Sequence, residues 1–365
     1  MPMEDEPKPF EYLLHGMDTI HCSYHFGISN SVIDFAELRV FKEELRQSRL
    51  KREKLITLGG KEFMLQPYGT RSGYPFVIED RDFRIQLGEY NRPNFFVAFK
   101  SEALWDKSPW ELNDEFLAWA KSIGLFIVEG ESLSRVDYSF DYYLPKVDFD
   151  EDSFLVRSKK DCKYRENKEP QTFAFGQGTD IMLRVYNKVD EIIQKSGKVW
   201  FFDLWERDTD VWRIEFQIRK EVLKDYGIIA FEDLITNSGD LLGYLVETHA
   251  TLRVKGESDN QASWPLHPLW VDLQNQVHEI GFGKARKRVD RQLSIEARKK
   301  RMAISMLGYL KRFGSFRSYE LGEEFATLDE SLAYFKDEID KIHSPMSWAI
   351  DVIKMTNLLR VKGEC

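Results

Sequence analysis

The sequence predicts an α+β protein: an antiparallel-sheet domain followed by a mainly helical C-terminal region. Three observations point there. Short aromatic or β-branched runs, broken by Gly, Pro and Asn, fill much of the first 220 residues without the regular alternation of strand and helix that a parallel sheet needs. Three separated segments, Ser134–Tyr142, Met182–Lys188 and Trp212–Arg219, alternate strictly between apolar and polar residues, as half-buried strands do. Beyond about Gly239 the periodicity becomes helical.

Residues 1–17 read as an acidic, proline-containing tail without the features of a signal sequence. Thr19 to Ile28 is an expected opening strand. Ser31 to Arg52 reads as a charged helix with Val32, Phe35, Leu38, Phe41 and Leu45 along one side, ended by Gly59-Gly60. Lys61–Pro67, Phe76–Ile78, Phe83–Tyr90 and Asn94–Lys100 are expected antiparallel strands, and Pro109–Gly124 a helix anchored by Trp110, Phe116, Leu117 and Trp119. Val156–Pro170, rich in Lys and Arg, reads as an exposed loop. Thr172–Phe175 and Ile181–Lys188 flank a glycine-rich connection of hairpin length, and a helix begins directly after, over Asn187–Lys195. The later periodic segments are Asp240–Val254, Leu269–Ile280, Arg288–Phe313, Leu328–Ile342 and Met346–Leu359. The expected organisation is therefore a tail (1–17), a catalytic domain (18–238) and a helical, basic region (239–365).

At 365 residues with 42% hydrophobic content, the chain is globular, and no run approaches the roughly 20 apolar residues that span a bilayer. A cytoplasmic protein is expected. Cys22, Cys162 and Cys365 are odd in number and far apart, which argues against a disulfide framework. The net charge of −9 hides an asymmetry. Lys284 to Arg317 holds twelve basic against two acidic residues, a local charge of +10 that leaves −19 on the rest. Such a concentration suits a polyanion contact, although a solvated basic helix has the same composition.

In the three alternating segments Arg135, Asp137, Ser139 and Asp141 share one strand face, as do Arg184, Tyr186 and Lys188, and Arg213, Glu215, Gln217 and Arg219. If the strands are neighbours, Asp137, Tyr186 and Glu215 converge among arginines. A tyrosine can attack a phosphodiester and conserve the broken bond as a phosphotyrosine. With a pKa near 10 it needs cationic help, which Arg184 and Lys188 on its own strand could give. Asp137 and Glu215, with Asp141 as a third, are hard oxygen ligands suited to Mg²⁺ or Mn²⁺. The competing interpretation is ordinary cross-strand ion pairing on a half-exposed sheet.

The segments Ser134-Arg-Val-Asp-Tyr-Ser-Phe-Asp141, Leu183-Arg-Val-Tyr-Asn-Lys188 with Glu191, and Val211-Trp-Arg-Ile-Glu-Phe-Gln217 resemble, in this order, the motifs of the replication initiation factor family. That family contains rolling-circle plasmid and phage initiators and related relaxases of integrative conjugative elements. The resemblance covers about residues 130 to 220, with Ser-Arg replacing the more usual Thr-Arg before Asp137. It implies site-specific, metal-dependent DNA nicking and strand transfer, with Tyr186 as nucleophile, Asp137 and Glu215 as acidic residues, and Arg184, Lys188 and Arg213 as basic ones. Origin DNA, a host helicase and a second copy of the chain are the expected partners. In that setting Lys284, Arg286, Lys287, Arg288, Arg291, Arg298, Lys299, Lys300 and Arg301 are expected to contact phosphates, with Val156–Pro170 as a second contact. Two alternatives stay open: a non-catalytic DNA-binding or copy-control protein, and a metal nuclease that uses water. No His-hydrophobic-His pair is present. His21 and His25 lie on a strand, where four residues separate them by about 13 Å.

Overall fold

A computed structural model describes residues 9–48, 53–157, 161–166, 169–280, 291–322 and 326–363. They form two compact units, Met1–Arg288 and Val289–Cys365. The division falls later than position 239, because the helices just beyond that position cover the sheet of the first unit.

The first unit is built on one large antiparallel sheet whose two halves share a plan. Strand β1 (Glu11–Gly27) opens inside the segment expected to be a tail. Helix α1 (Phe35–Gln47) follows, its first turn capped by the Asp34 carboxylate accepting from the Ala36 and Glu37 backbone N–H groups. Strands β2 (Lys54–Leu58), β3 (Lys61–Leu65), β4 (Phe76–Glu79), β5 (Phe83–Leu87) and β6 (Phe95–Phe99) then meander back until β6 pairs with β1. Gly59 and Gly60 are not a helix stop: both have positive φ (59° and 77°), the conformation of a tight hairpin turn between β2 and β3. Helices α2 (Ser101–Asp106) and α3 (Pro109–Ser122) complete this half, α3 starting with a Ser108/Glu111 capping box and Pro109.

The second half repeats the scheme. The long strand β7 (Phe126–Tyr143) is followed by β8 (Phe154–Val156), β9 (Asp161–Glu166), β10 (Glu169–Phe175), β11 (Ile181–Asn187) and, after helices α4 (Lys188–Glu191) and α5 (Phe201–Trp205), by β12 (Val211–Arg219). β12 returns to β7, and β1 pairs with β7, so the order is β2-β3-β4-β5-β6-β1-β7-β12-β11-β10-β9. The segment expected to be a basic loop thus supplies all of β9 and the start of β10. Strand β9 ends the strand order of the sheet.

Helices α6 (Lys220–Asp225), α7 (Asp233–Tyr244) and α8 (Pro268–Glu279) follow β12. The Val136, Tyr138, Phe140 and Tyr142 face of β7 is buried under this layer, with the hydroxyl of Tyr138 bonded to Ser238 of α7 and that of Tyr142 donating to Asp272 of α8. The run read as one helix over Asp240–Val254 gives way to strand β13 (Ala250–Leu252), which pairs with β8. In the second unit α9 (Arg291–Leu321), α10 (Leu328–Ile342) and α11 (Pro345–Lys362) match the periodic segments expected there. Phe313 of α9 packs edge-on against Phe335 of α10. Among the described residues no helix is long and apolar enough to cross a membrane.

Candidate active site

The three diagnostic segments are the adjacent strands β7, β12 and β11, and their register lines the polar residues up in rows. Tyr186, Arg213 and Asp141 lie opposite one another, Arg184, Glu215 and Ser139 form the next row, and Met182, Gln217 and Asp137 the third. Residues paired across antiparallel strands project to the same face, so one patch collects all of them.

Tyr186 sits at the buried end of the patch, 9% exposed. Its hydroxyl donates to Glu215 Oε2 at 2.7 Å. Arg184 Nη2 donates to the other oxygen of Glu215 at 2.6 Å and to Gln217 Oε1 at 3.2 Å, and stands 3.7 Å from Asp137 Oδ2. Asp137, 1% exposed, also receives the Arg135 guanidinium through both oxygens. Burial and the Glu215 charge push the Asp137 carboxyl up to about 6, against the pull of Arg135 and Arg184. Burial and Glu215 likewise hold the Tyr186 phenol well above its usual range, so it stays protonated.

Beneath lies a second, fully buried layer. Arg213, with no solvent exposure, donates to both oxygens of Asp141 (2.6 and 2.8 Å) and to Asp18 at 2.7 Å, its guanidinium 4.4 Å from the Phe201 ring centre. Trp205 Nε1 takes a share of Asp141 at 3.0 Å. Asp18 is an acid that the sequence pattern misses. It is the extra residue of a β-bulge, since Met17 pairs with Tyr138 and Thr19 with Asp137, and that irregularity turns its side chain onto Arg213, Ser101, Trp105 and Lys198. Burial alone would raise the Asp18 carboxyl, but Lys198, Arg213 and Lys188 outweigh it and hold it well below its ordinary value. Nothing in a period-two pattern marks a bulge.

Lys188 begins α4 directly after the tyrosine strand. Its side chain is 2% exposed, bonds Glu191 at 2.6 Å, and places its ammonium 5.6 Å from the Tyr186 ring centre and 5.4 Å from that of Phe201. Burial and Arg213 lower its pKa.

The expected ligands separate into two groups. Asp137 and Glu215 are joined through Arg184, whereas both oxygens of Asp141 are committed to Arg213 and Trp205, so the structure does not bring Asp141 to the pair. Among the described residues no cluster of three His, Cys, Asp or Glu side chains is arranged around a metal position.

Of the expected phosphate contacts, Lys284, Arg286, Lys287 and Arg288 lie outside the described residues. Arg291 and Arg301 fall on α9, as do Arg298, which donates to the Gly363 carbonyl, Lys299, which pairs with Glu296 at 2.7 Å, and the exposed Lys300. Val156–Pro170 is described only in part.

No family model matches the chain. Two replication initiation proteins of Staphylococcus aureus are each 25% identical to it, over 156 residues (41% of this chain, 43% of the relative) and over 155 residues (41% and 44%). The chain therefore spans less than half the length of these curated relatives. A solved rolling circle replication initiator protein from Geobacillus stearothermophilus superposes with a TM-score of 0.42 at 17% identity, over 74% of this chain and 99% of that one. Over about two fifths of its length the chain is thus similar in sequence to replication initiation proteins.

Proposed function

We propose that the chain nicks one DNA strand through Tyr186 and holds the new 5′ phosphate as a phosphotyrosine, initiating rolling-circle replication or conjugative transfer of a mobile element. The observation that carries the reading is the Tyr186 hydroxyl bonded to Glu215, with the part-exposed Arg184 spanning Glu215 and Asp137. In the proposed step Glu215 accepts the phenolic proton and the phenolate oxygen bonds to phosphorus. The bond to the 3′ oxygen breaks, and that oxygen leaves as the 3′ hydroxyl once protonated. Arg184, 28% exposed, meets the phosphate charge, while Lys188 beside the ring stabilises the developing phenolate.

Asp137 and Glu215 would hold Mg²⁺ or Mn²⁺. The Glu215 charge helps raise the Asp137 carboxyl, a repulsion that a cation between the two would relieve, and Mg²⁺ commonly takes only one or two carboxylates, with water and phosphate completing its shell. When bound, the ion supplies positive charge against the scissile phosphate. Asp141 takes a different part, clamping Arg213 behind the tyrosine.

The test is incubation with a supercoiled origin-bearing plasmid and Mg²⁺ or Mn²⁺, followed by a denaturing gel. The wild-type chain is expected to yield a covalent adduct and Tyr186→Phe none while still binding DNA. Cutting by Tyr186→Phe that leaves a free 5′ phosphate would instead show water to be the nucleophile.

A further inference from the structure

A row of residues crosses five strands beside the tyrosine site. Arg84 of β5 pairs with Ala98 of β6, Ala98 with His21 of β1, His21 with Arg135 of β7, and Arg135 with Arg219 of β12. Directly paired residues share a face, so three guanidinium groups and an imidazole stand in line over about 19 Å, four strand spacings. The face is that of Asp137 and Gln217, one step nearer Tyr186, so the row continues the site surface into the other half of the sheet.

The row is open and only partly neutralised. Arg84 keeps 36% of its side-chain surface while bonding Glu79, Arg135 keeps 29% while bonding Asp137, and Arg219 is exposed with no ion pair among the described residues. Burial, with added repulsion from Arg135, Arg219 and Arg84, lowers the His21 imidazole to about 4, so the charge of the row is carried by its arginines. Beside it the half-buried Phe96 lies edge-on to His21 at 5.5 Å and next to Tyr74 at 6.3 Å, with the small Ala98 leaving a floor in front of it.

We infer that this row, with Phe96, is a subsite for single-stranded DNA, arginines taking successive phosphates and Phe96 stacking a base. Cationic groups in line with an accessible ring fit an unpaired strand, whose base faces are free, and not a duplex, which hides them. The inference rests on the reading that Tyr186 attacks an unpaired strand, and it extends the path of that strand onto the half of the sheet that lacks the catalytic motifs.

The test is fluorescence anisotropy with a labelled oligothymidylate of about 15 nucleotides, near the upper site size of single-strand binders, without divalent ions so that no cutting intervenes. Arg84→Gln with Arg219→Gln is expected to flatten the dependence of log affinity on log salt by about 1.4, two contacts at roughly 0.7 each. Phe96→Ala is expected to weaken binding on the order of tenfold at unchanged salt slope. Because Arg84 also supports Glu79, Arg219→Gln alone at an exposed site serves as the variant free of folding effects, with an expected change of about 0.7. An unchanged slope in Arg219→Gln, or an equal loss of blunt-duplex binding, overturns the inference. Tyr186→Phe should leave this binding intact, so a failure of the nicking mechanism is seen on the adduct gel and a failure of the subsite is seen here.

Discussion

A phenol that donates to a carboxylate gives up its proton only when positive charge compensates, and at Tyr186 that charge would come from Lys188, Arg184 and the proposed cation. Glu215→Gln keeps a hydrogen-bond acceptor but cannot take the proton. Adduct formation should slow by about 100-fold or more, read as single-turnover kinetics on a strand that the variant still binds. Asp137 carries a second prediction. Its carboxyl is raised from 3.8 to about 6, so the folded protein binds more protons than the unfolded chain between those values. This group's contribution to stability is therefore full below about pH 4 and is lost as pH rises through 6. His21 and His249, both lowered to about 4, act in the opposite direction. The difference between wild type and Asp137→Asn isolates the carboxyl: denaturant midpoints at pH 4 and pH 7 should show wild type losing more than the variant on going to pH 7. An identical change in both would contradict the assignment. At this scale Tyr186, Asp137, Glu215 and Arg184 were legible because alternation fixes which side chains share a face. Which acids would share a partner was not legible, since that depends on register: Asp141 lies opposite Arg213, and Asp137 does not.

Among the elements, β11, β12 and β7 were readable as strands because each is apolar on one face and polar on the other. The basic segment before β10 hid β9 because its Lys and Arg break the apolar alternation that marks the other strands. The bulge at Asp18 was invisible too, because it is a fault in a pattern that the sequence shows only when intact. It delivers the second carboxylate of the Arg213 clamp. Arg213→Leu would strand Asp141 and Asp18 in the interior and should cost about 3–5 kcal/mol, measured by denaturant unfolding. A loss below about 1 kcal/mol would mean that the layer is far wetter than its burial indicates.

For the molecule as a whole, the sheet and its covering helices all belong to the unit that ends at Arg288. A chain of residues 1–288 is expected to unfold cooperatively by circular dichroism and to form the Tyr186 adduct on a single-stranded oligonucleotide, with weaker binding to duplex DNA than the full chain. If the shortened chain does not fold, the division into units is wrong. The change of periodicity near Gly239 does not mark the border between the compact units, because α7 and α8 are as helical in pattern as α9 while covering the sheet. The pairing at the centre of the sheet has a further effect on biogenesis. β1 finds its neighbour β7 more than a hundred positions downstream, and the tyrosine rows cannot close until β12 has been synthesised. On the ribosome β1 can pair with β6 and pack on α3 early, but its other edge stays unpaired until β7 emerges, so the centre of the sheet closes late.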